Sequence, residues 1–337
     1  MSWHIERENM QTIENKIVDN KVTGRISEVQ RSLFYIRYDG KEIPAVLKGK
    51  FHKDKLEFPV VGDYVTFRFN PYGDSVIEEI QERKSLLKRP DQSGHAMPYV
   101  KTMMEQVMVA NFDYVFIMVS LKDNYNLNRI ARYVSLTLQG GGLPVVILTK
   151  SDLCENTGEF VQEVQKLSEK VQVHAICSLT GEGLNELQEY MKPEATIAFL
   201  GSSGVGKSTL VNALAGEDIM KTGAIRETDS KGKHTTTSRE LIELPNGVIL
   251  IDTPGMRELG MCDVEEGIND TFSDIEELFT QCRFRNCSHG SEPGCAVHQA
   301  LENGTLEEKR WKLYQSLQNE SNKAAKMKAI AKKRRKL

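Results

Sequence analysis

The sequence predicts an α/β protein: a mostly parallel sheet with helices on its faces, a small closed β-barrel before it, and a helical segment after it. Three observations carry that expectation. Candidate strands and helices alternate between Tyr114 and Ile251, the pattern that builds a parallel sheet. Five short candidate strands crowd between Lys21 and Ile80. Three cysteines and a histidine fall within the fourteen residues from Cys282 to Cys295.

Residues 1–20 have weak periodicity and read as an extension. Residues 21–83 read as the barrel, with strands at Thr23–Ile26, Leu33–Tyr38, Ile43–Leu47, Asp63–Phe69 and Ser75–Ile80. Asp39-Gly40 and Pro71-Tyr72-Gly73-Asp74 supply turns. So few strands must remove their own edges, so closure is expected, and an OB-like barrel is the favoured form. Residues 84–99 contain two prolines and a glycine without a clean period, and read as a linker.

Residues 100–268 carry the alternating pattern. Strands are expected at Tyr114–Ser120, Val145–Leu148, Val173–Cys177, Thr196–Leu200, Leu241–Leu244 and Val248–Ile251. Helices are expected at Leu127–Gln139, Gly158–Glu169, Leu184–Tyr190 and Lys207–Ala215. Pro245-Asn246-Gly247 joins the last two strands as a hairpin, which puts one antiparallel strand at the sheet edge. Residues 269–337 read as short helices around the cysteine cluster, then a long polar helix from about Leu306 into a basic tail.

At 337 residues the chain has room for several domains, and 39% hydrophobic with 27% charged residues describes a globular protein. No run of apolar residues is long enough to span a bilayer, and Met1–Asn9 lacks a signal-like core, so a cytoplasmic protein without membrane partners is expected. The net charge of -3 hides an asymmetry: Lys323–Lys336 holds eight Lys or Arg residues and no acid. Such a tail suits a polyanion, although a run of this kind is often only a solvated end.

Chemistry concentrates in five segments. Gly201-Ser202-Ser203-Gly204-Val205-Gly206-Lys207-Ser208-Thr209 follows an apolar strand and opens a helix. That is the phosphate-loop pattern: backbone amides cradle phosphates, Lys207 reaches the outer phosphates and Ser208 ligates magnesium. Asp252 ends a hydrophobic strand 45 residues after Lys207 and begins Asp252-Thr253-Pro254-Gly255. There the carboxylate suits the magnesium shell, and the Gly255 amide can sense a γ-phosphate. Between them lies Gly232-Lys233-His234-Thr235-Thr236-Thr237-Ser238, a polar stretch that suits a switch ligating magnesium. Thr149-Lys150-Ser151-Asp152 also leaves a buried-strand pattern. The Asp152 carboxylate can accept from guanine N1–H and its exocyclic amine, which adenine does not offer, while Lys150 covers the base with its stem. The backbone of Cys177-Ser178-Leu179, one βαβ unit later, can face the base oxygen. The base-reading segment precedes the phosphate loop, so the chain passes through one nucleotide site in a rotated order.

The fifth segment is Cys282-x4-Cys287-x-His289-x5-Cys295. Three thiolates and an imidazole with no open position favour one structural zinc. His298 is a rival ligand of second choice, and Cys154, Cys177 and Cys262 read as ordinary small residues. Arg283 and Arg285 would present charge from this loop, and Lys332–Lys336 would add salt-dependent affinity for phosphates. On the barrel, Phe34, Tyr35, Tyr38 and Lys48 are loose candidates for an RNA surface, half of those aromatics being core by strand alternation.

The rotated order of Thr149–Asp152, Gly201–Ser208, the threonine-rich stretch and Asp252–Gly255 resembles the RsgA (YjeQ) family of circularly permuted GTPases. The preceding barrel and the following cysteine cluster extend the resemblance over nearly the whole chain. It implies a GTP hydrolase that acts late in maturation of the small (30S) ribosomal subunit, binds that subunit and its rRNA, and is stimulated by it. It further implies Asp152 as the guanine-specificity residue, Lys207 and Ser208 on phosphate and magnesium, and Asp252 with Gly255 as the second switch. The four zinc ligands are assigned alike, and a monomer exchanging GTP and GDP is expected. The first-switch threonine is Thr235, Thr236 or Thr237; spacing does not choose, and Thr236 is adopted as the magnesium ligand. Thr149 stands where most GTPases have asparagine, so fewer bonds across the site and a modest nucleotide affinity are expected.

Met256 occupies the position after the second-switch glycine where many GTPases use glutamine, and a thioether cannot orient water. Slow hydrolysis by the isolated protein is therefore expected. His234 is the internal candidate for positioning water, and it reads equally as an RNA or solvent contact. Arg257 and Glu258 are candidates for the moving switch. The competing function is an RNA-binding scaffold with a vestigial nucleotide site; an ATPase or kinase is disfavoured by Asp152.

Overall fold

The computed structural model describes residues 21–30, 33–53, 57–91, 104–122, 125–220, 240–252, 264–290 and 292–334. Five strands, β1 (Lys21–Gln30), β2 (Leu33–Tyr38), β3 (Lys41–Leu47), β4 (Tyr64–Arg68) and β5 (Ser75–Ile80), form the N-terminal unit. They pair in the order β1-β2-β3-β5-β4, and β4 returns to β1, so the barrel closes. Only β3 and β5 run parallel. Asp39 and Gly40, both at positive φ, make the tight turn between β2 and β3. Alternate residues fill the interior: Phe34, Ile36, Ile43, Ala45, Val65 and Phe67 are buried. Phe34 is thereby core rather than an RNA contact, and Tyr38 packs edge-on against Phe67. A one-turn helix, α1 (Lys50–Lys53), inserts Phe51 at one end.

The central sheet is β10-β9-β8-β11-β13-β12, built from β8 (Tyr114–Ser120), β9 (Leu143–Thr149), β10 (Gln172–Ile176), β11 (Thr196–Gly201), β12 (Glu240–Glu243) and β13 (Ile249–Asp252). All neighbours are parallel except β12 and β13. That hairpin was expected to leave a free edge, but β12 also pairs with β1 at Glu28 opposite Glu240, so barrel and sheet are continuous. Helices α2 (Leu127–Gln139) and α4 (Lys207–Ala215) fall where the periodicity put them, and α3 (Thr157–Gln165) stops short of the expected end at Glu169. Leu184–Tyr190 is a 3-10 helix rather than an α-helix. Strands β8, β9 and β11 are apolar nearly throughout because layers cover both faces, and two buried clusters occupy those faces.

The stretch 84–99 was read as a linker, and its first half is instead a strand, β6 (Leu86–Asp91), paired with β7 (Met104–Ala110). Pro90 obscured it; proline is tolerated because this ribbon has only two strands. Leu87, Met108 and Val109 are buried beneath it. Beyond the sheet come α5 (Glu265–Thr271), α6 (Ser273–Thr280), α7 (Ala296–Glu302) and the long α8 (Glu308–Arg334). Helix α5 runs across the expected boundary at 268 and lies against α2 so closely that a Cβ on Gly267 would sit 2.0 Å from the Ser135 carbonyl oxygen. Ile268, Phe272, Leu313 and Leu317 share one core with Ile130 and Val134. Arg310 adds a clasp, donating to Asp274 and to the Lys166 and Leu167 carbonyls at the end of α3. No helix among the described residues is long and apolar enough to cross a membrane.

Candidate functional site

Parallel strands deliver their following loops to one end of a sheet, and the crevice opens where successive connections diverge. Here β8 neighbours β9 on one side and β11 on the other, with β13 beyond. The loops after β9, β10, β11 and β13 therefore gather Thr149–Asp152, Cys177-Ser178, Gly201–Ser208 and Asp252 at the same carboxyl edge.

After β11 the chain makes the phosphate-loop turn. Gly204 and Gly206 hold φ of 75° and 101°, values that only glycine adopts without strain. A Cβ on Gly201 would sit 2.9 Å from the Met118 carbonyl oxygen, so the loop leaves the sheet in close contact with β8. Val205 is buried, whereas Ser203 and Gly204 are exposed. Lys207 and Ser208 open α4, where free backbone amides and the helix dipole favour an anion. The Lys207 ammonium pairs with the Asp252 carboxylate at the end of β13. Two motifs far apart in sequence thus meet at one point.

The Thr149–Asp152 segment meets the same loop. Thr149, 3% exposed, donates its hydroxyl to the Val205 carbonyl at 2.7 Å. A weaker 3.4 Å contact reaches the Val119 carbonyl on β8. Thr149 was expected to make fewer bonds across the site than an asparagine, and the one short bond it makes is this link to Val205. Lys150 then takes a left-handed conformation, φ 61°, and starts a 3-10 turn over Ser151–Leu153. Such a backbone costs a non-glycine residue about 1 to 2 kcal/mol, a strain that collects at functional sites. Asp152 is exposed at the crevice edge. Cys177 is buried and bridges Glu182 across a tight loop, with Ser178 half-buried beside it.

Two hydroxyls here went unnoticed in the sequence. Ser120 ends β8 opposite Thr149, and Ser151 sits inside the base motif. Both are buried, and neither Oγ has a hydrogen-bond partner among the described residues. The signal for Ser120 was a serine at the end of an apolar strand; Ser151 was visible only as a member of the Thr149–Asp152 segment, without a role of its own. His234, Thr235, Thr236, Thr237, Gly255, Met256, Arg257 and Glu258 lie outside the described residues.

The second cluster is as the spacing suggested. Cys282, Cys287, His289 and Cys295 offer ligand atoms that all lie within 4.8 Å of one another, and the three cysteines are unpaired. His289 Nδ1 is 3.6 Å from the Cys282 sulfur and 3.7 Å from that of Cys295. A tetrahedral ion with ordinary zinc–sulfur and zinc–nitrogen bonds would require about 3.6 Å. The donors therefore fit a structural metal. Burial pushes the Cys287 thiol up to about 11, and burial also lowers the His289 pKa. Phe279 stacks on the His289 ring with centroids 4.0 Å apart, which fixes the ligand's orientation. Glu292 ties the loop by accepting from Ser288 N, Ser288 Oγ and Gly290 N. His298 stays outside the cluster, on α7. Arg283, Phe284 and Arg285 project from the loop, the Arg283 guanidinium lying 5.5 Å from the Phe284 ring centre.

Comparison with known proteins agrees with this architecture. The family model described as RsgA GTPase matches residues 80–262. A curated relative, Small ribosomal subunit biogenesis GTPase RsgA 2 of Listeria monocytogenes serotype 4b (strain F2365), is 42% identical over 309 residues, covering 91% of this chain and 86% of its own. The crystal structure of YjeQ from Thermotoga maritima superposes with a TM-score of 0.65 at 28% identity, over 88% of this chain and 97% of that one. YloQ, described as a circularly permuted GTPase, shares the fold with a TM-score of 0.61 at 24% identity, over 90% of this chain and 96% of its own. With Thr149–Asp152 at the end of β9 preceding Gly201–Ser208 at the end of β11, and with likenesses that span most of the sequence, the chain belongs to the RsgA GTPase family.

Proposed function

We propose that this protein hydrolyses GTP to GDP and phosphate as a maturation factor of the small ribosomal subunit, slowly alone and faster on the subunit. The observation that carries the nucleotide half is the 2.7 Å bond from Thr149 to the Val205 carbonyl. It fastens the segment suited to a guanine ring to the loop suited to its phosphates. Asp152 accepts from the base, Lys150 covers it, and the Cys177-Ser178 backbone faces its oxygen. The amides of Gly201–Thr209 hold the phosphates, and Lys207 exchanges Asp252 for phosphate oxygens. Ser208, one of the three threonines (Thr236 is adopted) and the Asp252 shell suit magnesium, which would neutralise developing charge on the phosphates. Gly255 and His234 keep their roles as γ-phosphate sensor and water-positioning candidate.

Zinc is the metal proposed for the thiolate cluster, where it would hold Arg283, Phe284 and Arg285 as a rigid RNA contact. The small subunit as partner rests on the relatives' shared name. The alternative, an RNA scaffold without turnover, is disfavoured by the intact phosphate loop and the Lys207–Asp252 pair. The deciding experiment measures GTP and ATP hydrolysis with and without purified 30S subunits, alongside co-sedimentation in GTP-analogue and GDP forms. GTP-selective turnover raised by subunits is expected; binding without turnover would leave the scaffold.

A further inference from the structure

The barrel is fastened to the nucleotide-binding sheet by a joint whose polar centre is one buried side chain. Arg25, on β1, is 7% exposed. Its Nε donates to the Gly62 carbonyl at 3.2 Å, Nη1 to Thr196 Oγ1 at 3.0 Å, and Nη2 to the Asn111 carbonyl at 2.8 Å. These acceptors belong to the loop before β4, the first residue of β11 and the turn after β7. Asn111 donates to the same Gly62 carbonyl at 3.1 Å and accepts from the Lys84 amide. All three acceptors of Arg25 are neutral. Burial weighs against the charged form more than the Tyr64 ring 5.1 Å away and the attraction of Asp113 and Asp63 offset it, so stability alone would favour an apolar side chain. What a planar five-donor fork supplies is a fixed orientation.

The joint leads directly to the phosphate end of the site. A Cβ on Gly62 would lie 2.1 Å from the Ala110 carbonyl oxygen and 3.1 Å from Ile251 Cδ1, so this barrel loop rests on β13. Asp252, the next residue, pairs with Lys207. Thr196 begins the strand that ends at Gly201. The other connection, β1 to β12, places Glu28 opposite Glu240, and like charges so placed weaken a pair. Its flanking ion pair, Arg37 with Glu243, is largely exposed and contributes little.

We propose that Arg25 is a positioning residue for partner-stimulated hydrolysis: it fixes the barrel so that a partner held there acts on β11 and β13. This rests on the reading that the small subunit stimulates turnover, and on its touching the barrel as well as the Arg283–Arg285 loop. The test is GTP hydrolysis across a titration of purified 30S subunits, comparing the unaltered chain with Arg25→Met, Arg25→Lys and Thr196→Val. For Arg25→Met the maximal stimulated rate falls at least about fivefold, the lower edge of ordinary site-to-site coupling, while the intrinsic rate and the half-stimulating concentration stay within about twofold. Arg25→Lys recovers part of the loss, and Thr196→Val shows the same split more weakly and decides alone should Arg25→Met not fold. An unchanged maximum overturns the proposal, as does a parallel fall of both rates. A change confined to the half-stimulating concentration also overturns it, because the barrel is then only a tether. If the unaltered chain is not stimulated, the functional reading itself fails, and this inference with it.

Discussion

Replacing Thr149 with valine removes one hydroxyl and keeps the shape of the side chain. The Val119 carbonyl loses little, since its contact is long and it lies on β8 between β9 and β11. The Val205 carbonyl loses the 2.7 Å partner at a position only 3% exposed. Leaving a buried acceptor without a donor costs about 1 to 3 kcal/mol. Where that cost appears depends on how firmly the two loops are held before nucleotide binds. If they relax in the free protein, the whole cost appears as weaker binding, about 5-fold to 150-fold in Kd. If they are rigid throughout, it appears in unfolding free energy and leaves Kd nearly unchanged. Titrating a fluorescent GDP analogue and measuring denaturant unfolding on the same samples captures both shares, whose sum should fall within about 1 to 3 kcal/mol. Thr149→Ser, which keeps the hydroxyl, should lose much less. Unchanged affinity together with unchanged stability in Thr149→Val would refute the claim that this bond joins the base and phosphate ends.

Asp152→Asn replaces a two-acceptor carboxylate with one acceptor and one donor. Two charge-assisted bonds to guanine are weakened, so GDP affinity should fall at least about a hundredfold, while xanthine nucleotides, which offer an acceptor at the 2-position, gain. Retained guanine preference by competition titration would show that the base is read elsewhere. Cys287→Ser should lower zinc content measured by metal analysis, and it should also lower the unfolding midpoint of the whole chain, because α6 to α8 share a core with α2. With the Cys287 thiol pushed up to about 11, zinc uptake by the metal-free protein should release protons; uptake without release would mean the thiols do not ligate. Glu78, its side chain 8% exposed, receives Lys48, Lys21 and Arg68, and the Lys48 and Lys21 ammoniums hold its carboxyl at about 2 against an ordinary 4.5. A depressed folded pKa stabilises above pH 4.5, and that contribution drains away as the pH falls toward 2. Glu78→Gln should therefore flatten the loss of stability across that window, and identical pH profiles would count against the cluster.

Much of this was legible in the sequence because the signals are local. Gly204 and Gly206 mark positive φ, and the Cys282–Cys295 spacing sets ligand distances, whereas strand alternation said only that half of the barrel aromatics are core and did not single out Phe34. The order of Thr149–Asp152 before Gly201–Ser208 pointed to the permuted fold without any coordinate. What escaped was either masked by an unfavourable residue or carried by distant contacts. Pro90 hid β6, and with it the ribbon that replaces half of the expected linker. Arg25 drew no reading beyond its place in a barrel strand, because its partner Thr196 is 171 residues away and no local pattern announces it. Thr149 shows what residue type alone leaves open: fewer bonds than an asparagine were expected, and which carbonyl the single hydroxyl meets, that of Val205, is set by packing between distant loops.

The most direct measurement is a crystal structure with magnesium and a non-hydrolysable GTP analogue. The Asp152 carboxylate should lie within hydrogen-bond reach of guanine N1 and its exocyclic amine, with the phosphates over the Gly201–Ser208 amides and Thr149 still bonded to Val205. A base lying outside the Thr149–Asp152 segment, or phosphates away from Lys207, would contradict it.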